Sequence, residues 1–209
     1  MDTKESTIKE TAKQKLDEWK KTARQMKSQL ELKSGEARDE FEDQKKTLHQ
    51  WVDQTRERLD DLQDTGGDEL KKLKQKLETL REQAAEKKAD TEDRFKAEQQ
   101  KIMHQMGEVR AQAETLYKNT RGNLKDTAED IDEQLDQFHT RFDLFKLQLQ
   151  LGKQEASDVW QNKKKELSRS LQEFNSKLEK AEDAASSGWN NFSSEMSEAW
   201  KHIKKSVTS

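Results

Sequence analysis

Four histidines, His49, His104, His139 and His202, are the side chains best suited to bind a metal or move protons near neutral pH. A carboxylate-bridged di-iron site in a helical bundle needs Glu-x-x-His pairs projecting inward. No histidine here has a glutamate three residues before it, and only His139 has an aspartate there, Asp136. None lies three or four residues from another, so no helix face collects two of them. With 43 Asp and Glu residues, close carboxylate pairs are guaranteed by density, but acid–base catalysis also needs a pocket that shifts a pKa. The chain has no cysteine nucleophile, no Gly-rich phosphate loop and no nucleophile elbow. The expectation is a non-enzyme: no catalytic residues, no metal, no cofactor and no small-molecule substrate.

The chemistry that does stand out is adhesive. Five tryptophans, Trp19, Trp51, Trp160, Trp189 and Trp200, sit in a chain that is 40% charged. Trp19 and Trp160 fall on the apolar spacing of their segments and read as core; Trp51, beside Val52, reads as packing at the core's edge. The C-terminal stretch SSGWNNFSSEMSEAWKHIKKSV puts Trp189, Phe192, Met196, Trp200 and Ile203 on one helical face, with Lys201, Lys204 and Lys205 at its end. An aromatic face with basic flanks suits a partner's groove or a membrane surface, and these five residues are the candidate interaction face. The plainer reading is that the face packs on its own bundle or on another copy of the chain.

The elements that must carry these residues are helices. Apolar positions step by three and four along almost the whole chain, from Ile8, Ala12, Leu16 and Trp19 to Leu171, Phe174 and Leu178. The chain contains no proline, so nothing removes a backbone donor from a long helix. Forty basic residues nearly cancel the 43 acidic ones, giving a net charge of −3. That balance offers no global attraction to nucleic acid and suits solvated helices with a narrow apolar stripe. The fold class expected is all-α: long amphipathic helices in an elongated antiparallel bundle or coiled coil. Eleven-residue steps from Leu30 to Phe41 and from Leu149 to Trp160 favour bundle packing over one strict heptad zipper. A first helix is expected over roughly residues 4–63, and Thr7 and Glu10 can form a capping box near its start. Turns are expected at Gly66-Gly67 and near Gly122, and acid-before-base pairs four apart, such as Glu42–Lys46 and Asp68–Lys72, should line the faces. If Gly122 does not turn the chain, the middle helix continues and the core is expected to close in a dimer. The opening MDTKESTIKE is charged from its second residue with no apolar core, so no secretory leader is expected and the compartment expected is the cytoplasm.

The chain also says nearly the same thing twice. Shifted by 119 residues, Leu16 meets Leu135, Trp19 meets Phe138, Leu30 meets Leu149, Phe41 meets Trp160 and Leu48 meets Leu167, without a gap. Gly66-Gly67 falls on the Ala185–Ser186 break, and beyond it Leu70, Leu73, Leu77 and Leu80 meet Trp189, Phe192, Met196 and Ala199. The unit is a long helix, a small-residue break and a second amphipathic helix. The chain divides accordingly into 1–122, a first copy with an extended second helix, and 123–209, a second copy ending in a short amphipathic helix.

The elements LDEW at 16–19, GEARDEF at 35–41, KQEASDVW at 153–160 and SSGWNNF…EAW at 186–200 carry a resemblance. The chain resembles bacterial coiled-coil proteins, many of them grouped with stress responses, whose pattern opens on Leu-Asp-x-Trp and closes on a Ser-Gly-x-x-Trp…Ala-Trp tail. The first copy departs from that tail, with Leu70 and Arg81 where the second has Trp189 and Trp200. The resemblance implies a stress-related or scaffolding role and no catalytic residues. Three functions follow as expectations. The first is a coiled-coil scaffold acting through protein partners or itself as a homo-oligomer. The second is reversible binding to a membrane or lipid surface through the C-terminal helix. The third is a stress protectant that folds on demand.

Overall fold

The computed structural model describes the backbone of residues 2–32, 34–62, 67–86, 91–151, 158–184 and 189–208. Among these residues there are seven helices and no strand. They are α1 (Asp2–Glu31), α2 (Ser34–Asp61), α3 (Gly67–Ala84), α4 (Glu92–Asn119), α5 (Asn123–Leu151), α6 (Asp158–Ala184) and α7 (Trp189–Thr208). The protein is all-α, and the periodic spacing of its apolar residues is the cause: Leu70, Leu73, Leu77, Leu80 and Ala84 are one buried face of α3.

Several boundaries differ from the sequence expectation. The helix expected over 4–63 is two helices, because α1 ends at Glu31 and α2 starts at Ser34. Thr7 lies inside α1, which begins at Asp2, and the Thr7 and Glu10 side chains lie outside the described residues. The cap that forms is at α4, where the Thr91 side chain accepts from the backbone N–H of Arg94 at 3.3 Å. Gly122 does turn the chain: its φ of +66° is a left-handed conformation open to glycine, and its carbonyl accepts from Lys125 N at 2.9 Å as α5 begins. At two of the expected pairs the lysine bonds an acid three residues away rather than four, while Lys118 and Glu114 do pair at a spacing of four. Lys46 bonds Asp43 at 2.7 Å instead of Glu42, and Lys72 bonds Glu69 at 2.9 Å instead of Asp68. Both spacings lie on one helix face.

The chain folds as two compact units, and they are not the two sequence copies. A terminal unit takes residues 1–37 and 143–209; a central unit takes residues 38–142. The division at 122/123 separates copies in the sequence, whereas each unit draws helices from both. The terminal unit combines α1, from the first copy, with α6 and α7, from the second. The central unit combines α2 and α3, from the first copy, with the 123–142 part of α5, from the second, and adds α4. Shifted by 119, α1 would span 121–150, against 123–151 for α5, whereas α2 would span 153–180 against 158–184 for α6.

The central unit is an up-down-up-down bundle, read from which residues meet. Asp53, Arg56 and Asp60 of α2 pair with Arg81, Glu78 and Lys74 of α3, so these two run antiparallel. Lys76 and Glu69 of α3 bond Glu108 and Gln112 of α4. Arg110 and Gln99 of α4 reach Asp132 and the Phe142 carbonyl on α5. Phe41 packs on Phe95 and Phe142, with ring centroids 4.5 and 5.0 Å apart. In the terminal unit, the buried stripe of α1 (Leu16, Trp19, Ala23, Met26, Leu30) joins Leu167, Leu171, Phe174 and Leu178 of α6 and Met196, Trp200, Ile203 and Val207 of α7.

Candidate functional site

The candidate interaction face divides as follows. Met196, Trp200 and Ile203 are buried in the terminal unit, at 2%, 3% and 0% exposure. The side chains of Trp189 and Phe192 lie outside the described residues. Trp200 is one corner of an aromatic trio. Its ring centroid is 4.9 Å from that of Trp19 on α1 and 5.8 Å from that of Phe174 on α6, and Trp19 and Phe174 stand 5.4 Å apart. Interplanar angles of 51–70° are the tilted and edge-on arrangements that ring quadrupoles favour. Each such pair adds about 0.5–1.5 kcal/mol beyond the area it buries. The trio therefore ties α1 to a pair of helices more than a hundred residues further along the chain. Lys201 and Lys205 stay exposed on the other side of α7.

The densest polar chemistry is in the central unit and was not singled out from the sequence. Lys45 of α2 is buried, and its ammonium has three acceptors: Glu98 of α4, Glu42 at 3.1 Å and the Glu86 carbonyl at 3.0 Å. Three donors meet three acceptors, which is what makes a buried ammonium tolerable. Burial pushes the Glu98 carboxyl above its ordinary value of 4.5, while the bond and charge of Lys45 pull it back down. Nearby, the Gln99 side chain donates to the Phe142 carbonyl at 2.6 Å. Arg141 is buried over the Phe138 ring at 4.3 Å; burial lowers its pKa to about 10, against the pull of Glu40. A signal for this cluster existed. The apolar ladder steps by seven from Phe41 to Leu48 and from Phe95 to Ile102, leaving one core place unfilled in each gap. Lys45 and the Glu98-Gln99 pair occupy those places.

A groove of about 580 Å³ runs between α4 and α5. Its lining combines small residues, Gly107, Ala111 and Ala128, with charged ones, Arg110, Glu114, Lys118, Glu129 and Asp132. Arg110 is held by Asp132 at 2.5 Å and Asp136 at 2.7 Å. Burial works to lower the Arg110 pKa, but the bonds and charges of Asp132 and Asp136 outweigh it and raise the value. At the far end Lys125 lies over the Tyr117 ring at 4.4 Å. Of the charged groups that line the groove, Arg110 is thus paired with Asp132, and Lys118 with Glu114.

The histidines stay apart. His49 Nδ1 is 3.2 Å from Asp53, His104 and His202 are exposed, and His139 is half-buried. Among the described residues, no group of three His, Asp or Glu side chains could hold a metal ion, and no helix is long and apolar enough to cross a membrane. Comparison with known protein families, curated proteins and solved structures finds no match to this chain.

Proposed function

We propose that this protein is a non-enzymatic helical scaffold that acts through protein–protein contact, with a second copy of itself as its first partner. One observation carries the reading: the aromatic trio of Trp19 with Phe174 and Trp200 is a contact between helices far apart in the chain. What remains outside is dense in paired charge, as in Lys46–Asp43 and Lys118–Glu114, which suits a solvated surface more than a substrate site. A cytoplasmic setting, no nucleic-acid partner, and a stress-related role of the kind its family resemblance implies belong to the same proposal.

Sedimentation or light-scattering mass of the intact chain tests it. The expected result is a mass above the single-chain 24.5 kDa that falls on dilution. A constant single-chain mass would contradict self-association. Lipid-surface binding is the second reading, favoured by the basic Lys201, Lys204 and Lys205 beside the apolar face of α7. It requires Trp200 to leave Trp19 and Phe174. Flotation with anionic vesicles separates the two: the scaffold reading expects the chain to stay in the unbound fraction.

A further inference from the structure

The membership of the two units has a consequence for how copies of the chain meet. We propose that the protein self-associates by exchanging α1, the α1 of one chain seating on the α6–α7 pair of another. This rests on the self-association proposed above and names its surface. The acceptor is the face formed by Leu167, Leu171, Phe174, Met196, Trp200 and Ile203, and its occupant is the stripe of α1 centred on Trp19. Complementarity is built in, because the same contact is already made within one chain. An exchanged helix keeps every one of its contacts, so the two forms differ only at the connection and in the entropy of association.

The connection is suited to two states. The helices α1 and α2 are separated by two residues, Leu32 and Lys33, and the chain has no proline. The apolar ladder runs through this break with helical spacing, from Leu30 to Ala37 to Phe41 in steps of seven and four. All three are buried. The spacing of these apolar residues is therefore also compatible with a helix continuing from α1 into α2. Short connections whose residues favour a straighter path are the setting in which identical elements exchange between protomers.

A buried pair reports where α1 sits. The side chain of Gln148 donates to the Gln29 backbone carbonyl, and Gln29 Nε2 lies 3.5 Å from Gln148 Oε1. The two occupy the same place in the two copies. The chain has no cysteine, so engineered thiols react only with each other. Full-length Gln29→Cys is mixed with full-length Gln148→Cys, held concentrated, and closed by oxidation or a short thiol crosslinker. A linked species containing both chains, absent when mixing and closing are done dilute, is the expected result. A dimeric mass with no such link overturns the exchange and leaves self-association by another surface standing; a single-chain mass at every concentration overturns both. A second measurement does not depend on thiol geometry. Trp19→Ala damages the donor helix and Trp200→Ala the acceptor. Mixed, two such full-length chains can assemble one intact trio per pair, so the mixture should melt above either variant alone. A mixture that melts as the average of its parts contradicts the proposal.

Discussion

The terminal and central units contain register-equivalent helices and both have apolar cores with ring contacts, yet the three places of the Trp19–Phe174–Trp200 trio are filled differently in the two. Trp19, Phe174 and Trp200 close the terminal core with rings; the residues 119 positions away are Phe138, Thr55 and Arg81. Arg81 lies half out of the central core, bonding Asp53 at 2.5 Å and Glu78 at 3.5 Å. Thr22, buried on α1, corresponds to Arg141, buried over Phe138. A repeat thus specifies where helices pack and leaves open what fills the space between them. The central unit makes up the lost apolar volume with a further helix, α4, and with a charge pair, Lys45–Glu98, whose geometry is more demanding than that of any ring. Burial of apolar ring surface is non-directional, with only a modest geometric preference between rings; a buried ion pair is costly to break.

The largest test of that contrast is Trp200→Ala. It removes two ring contacts and leaves a cavity, and should cost roughly 4 kcal/mol, with calorimetry and hydrogen exchange placing the loss in α1, α6 and α7 and sparing α2 to α4. Lys45→Met should cost about 3 kcal/mol in the central unit by stranding the Glu98 carboxylate. Adding Glu98→Leu to it should recover most of that loss in chemical denaturation, because no buried charge remains. A smaller effect is read in pH. Glu98 has its carboxyl pKa raised by burial, so the folded state holds that proton more tightly than the unfolded one. Its contribution then declines as pH rises from the ordinary 4.5 through the raised folded value, and Glu98→Gln should flatten that decline in the central unit's melting profile. The smallest is Thr55→Val. The Thr55 hydroxyl is buried without a hydrogen-bond partner, and replacing it by a methyl should stabilise the central unit by about 1 kcal/mol.

Helix content was legible in the sequence because a period of three and four needs no knowledge of partners. Leu16, Trp19, Leu171 and Phe174 are buried as their spacing implies. The break between Glu31 and Ser34 was not legible, since Leu30, Ala37 and Phe41 keep helical spacing across it and only Gly35 hints at an interruption. The exchange of first helices was also beyond reach: two copies with matching stripes fit either partner, and periodicity says which face is sticky without saying whose. The Lys45 cluster was legible only as gaps in the apolar ladder. Lys45 and Lys46 are neighbours of one type, and only the face on which each falls makes one buried and the other 73% exposed.

The helix α1 belongs with α6 and α7 rather than with the α2 that follows it. Native-state hydrogen exchange on the intact chain, with and without Trp200→Ala, tests this most directly. The expected result is that α1 loses protection together with α6 and α7 while α2, α3 and α4 keep theirs. Loss of protection in α2 together with α1, or in no segment but α7, would contradict it.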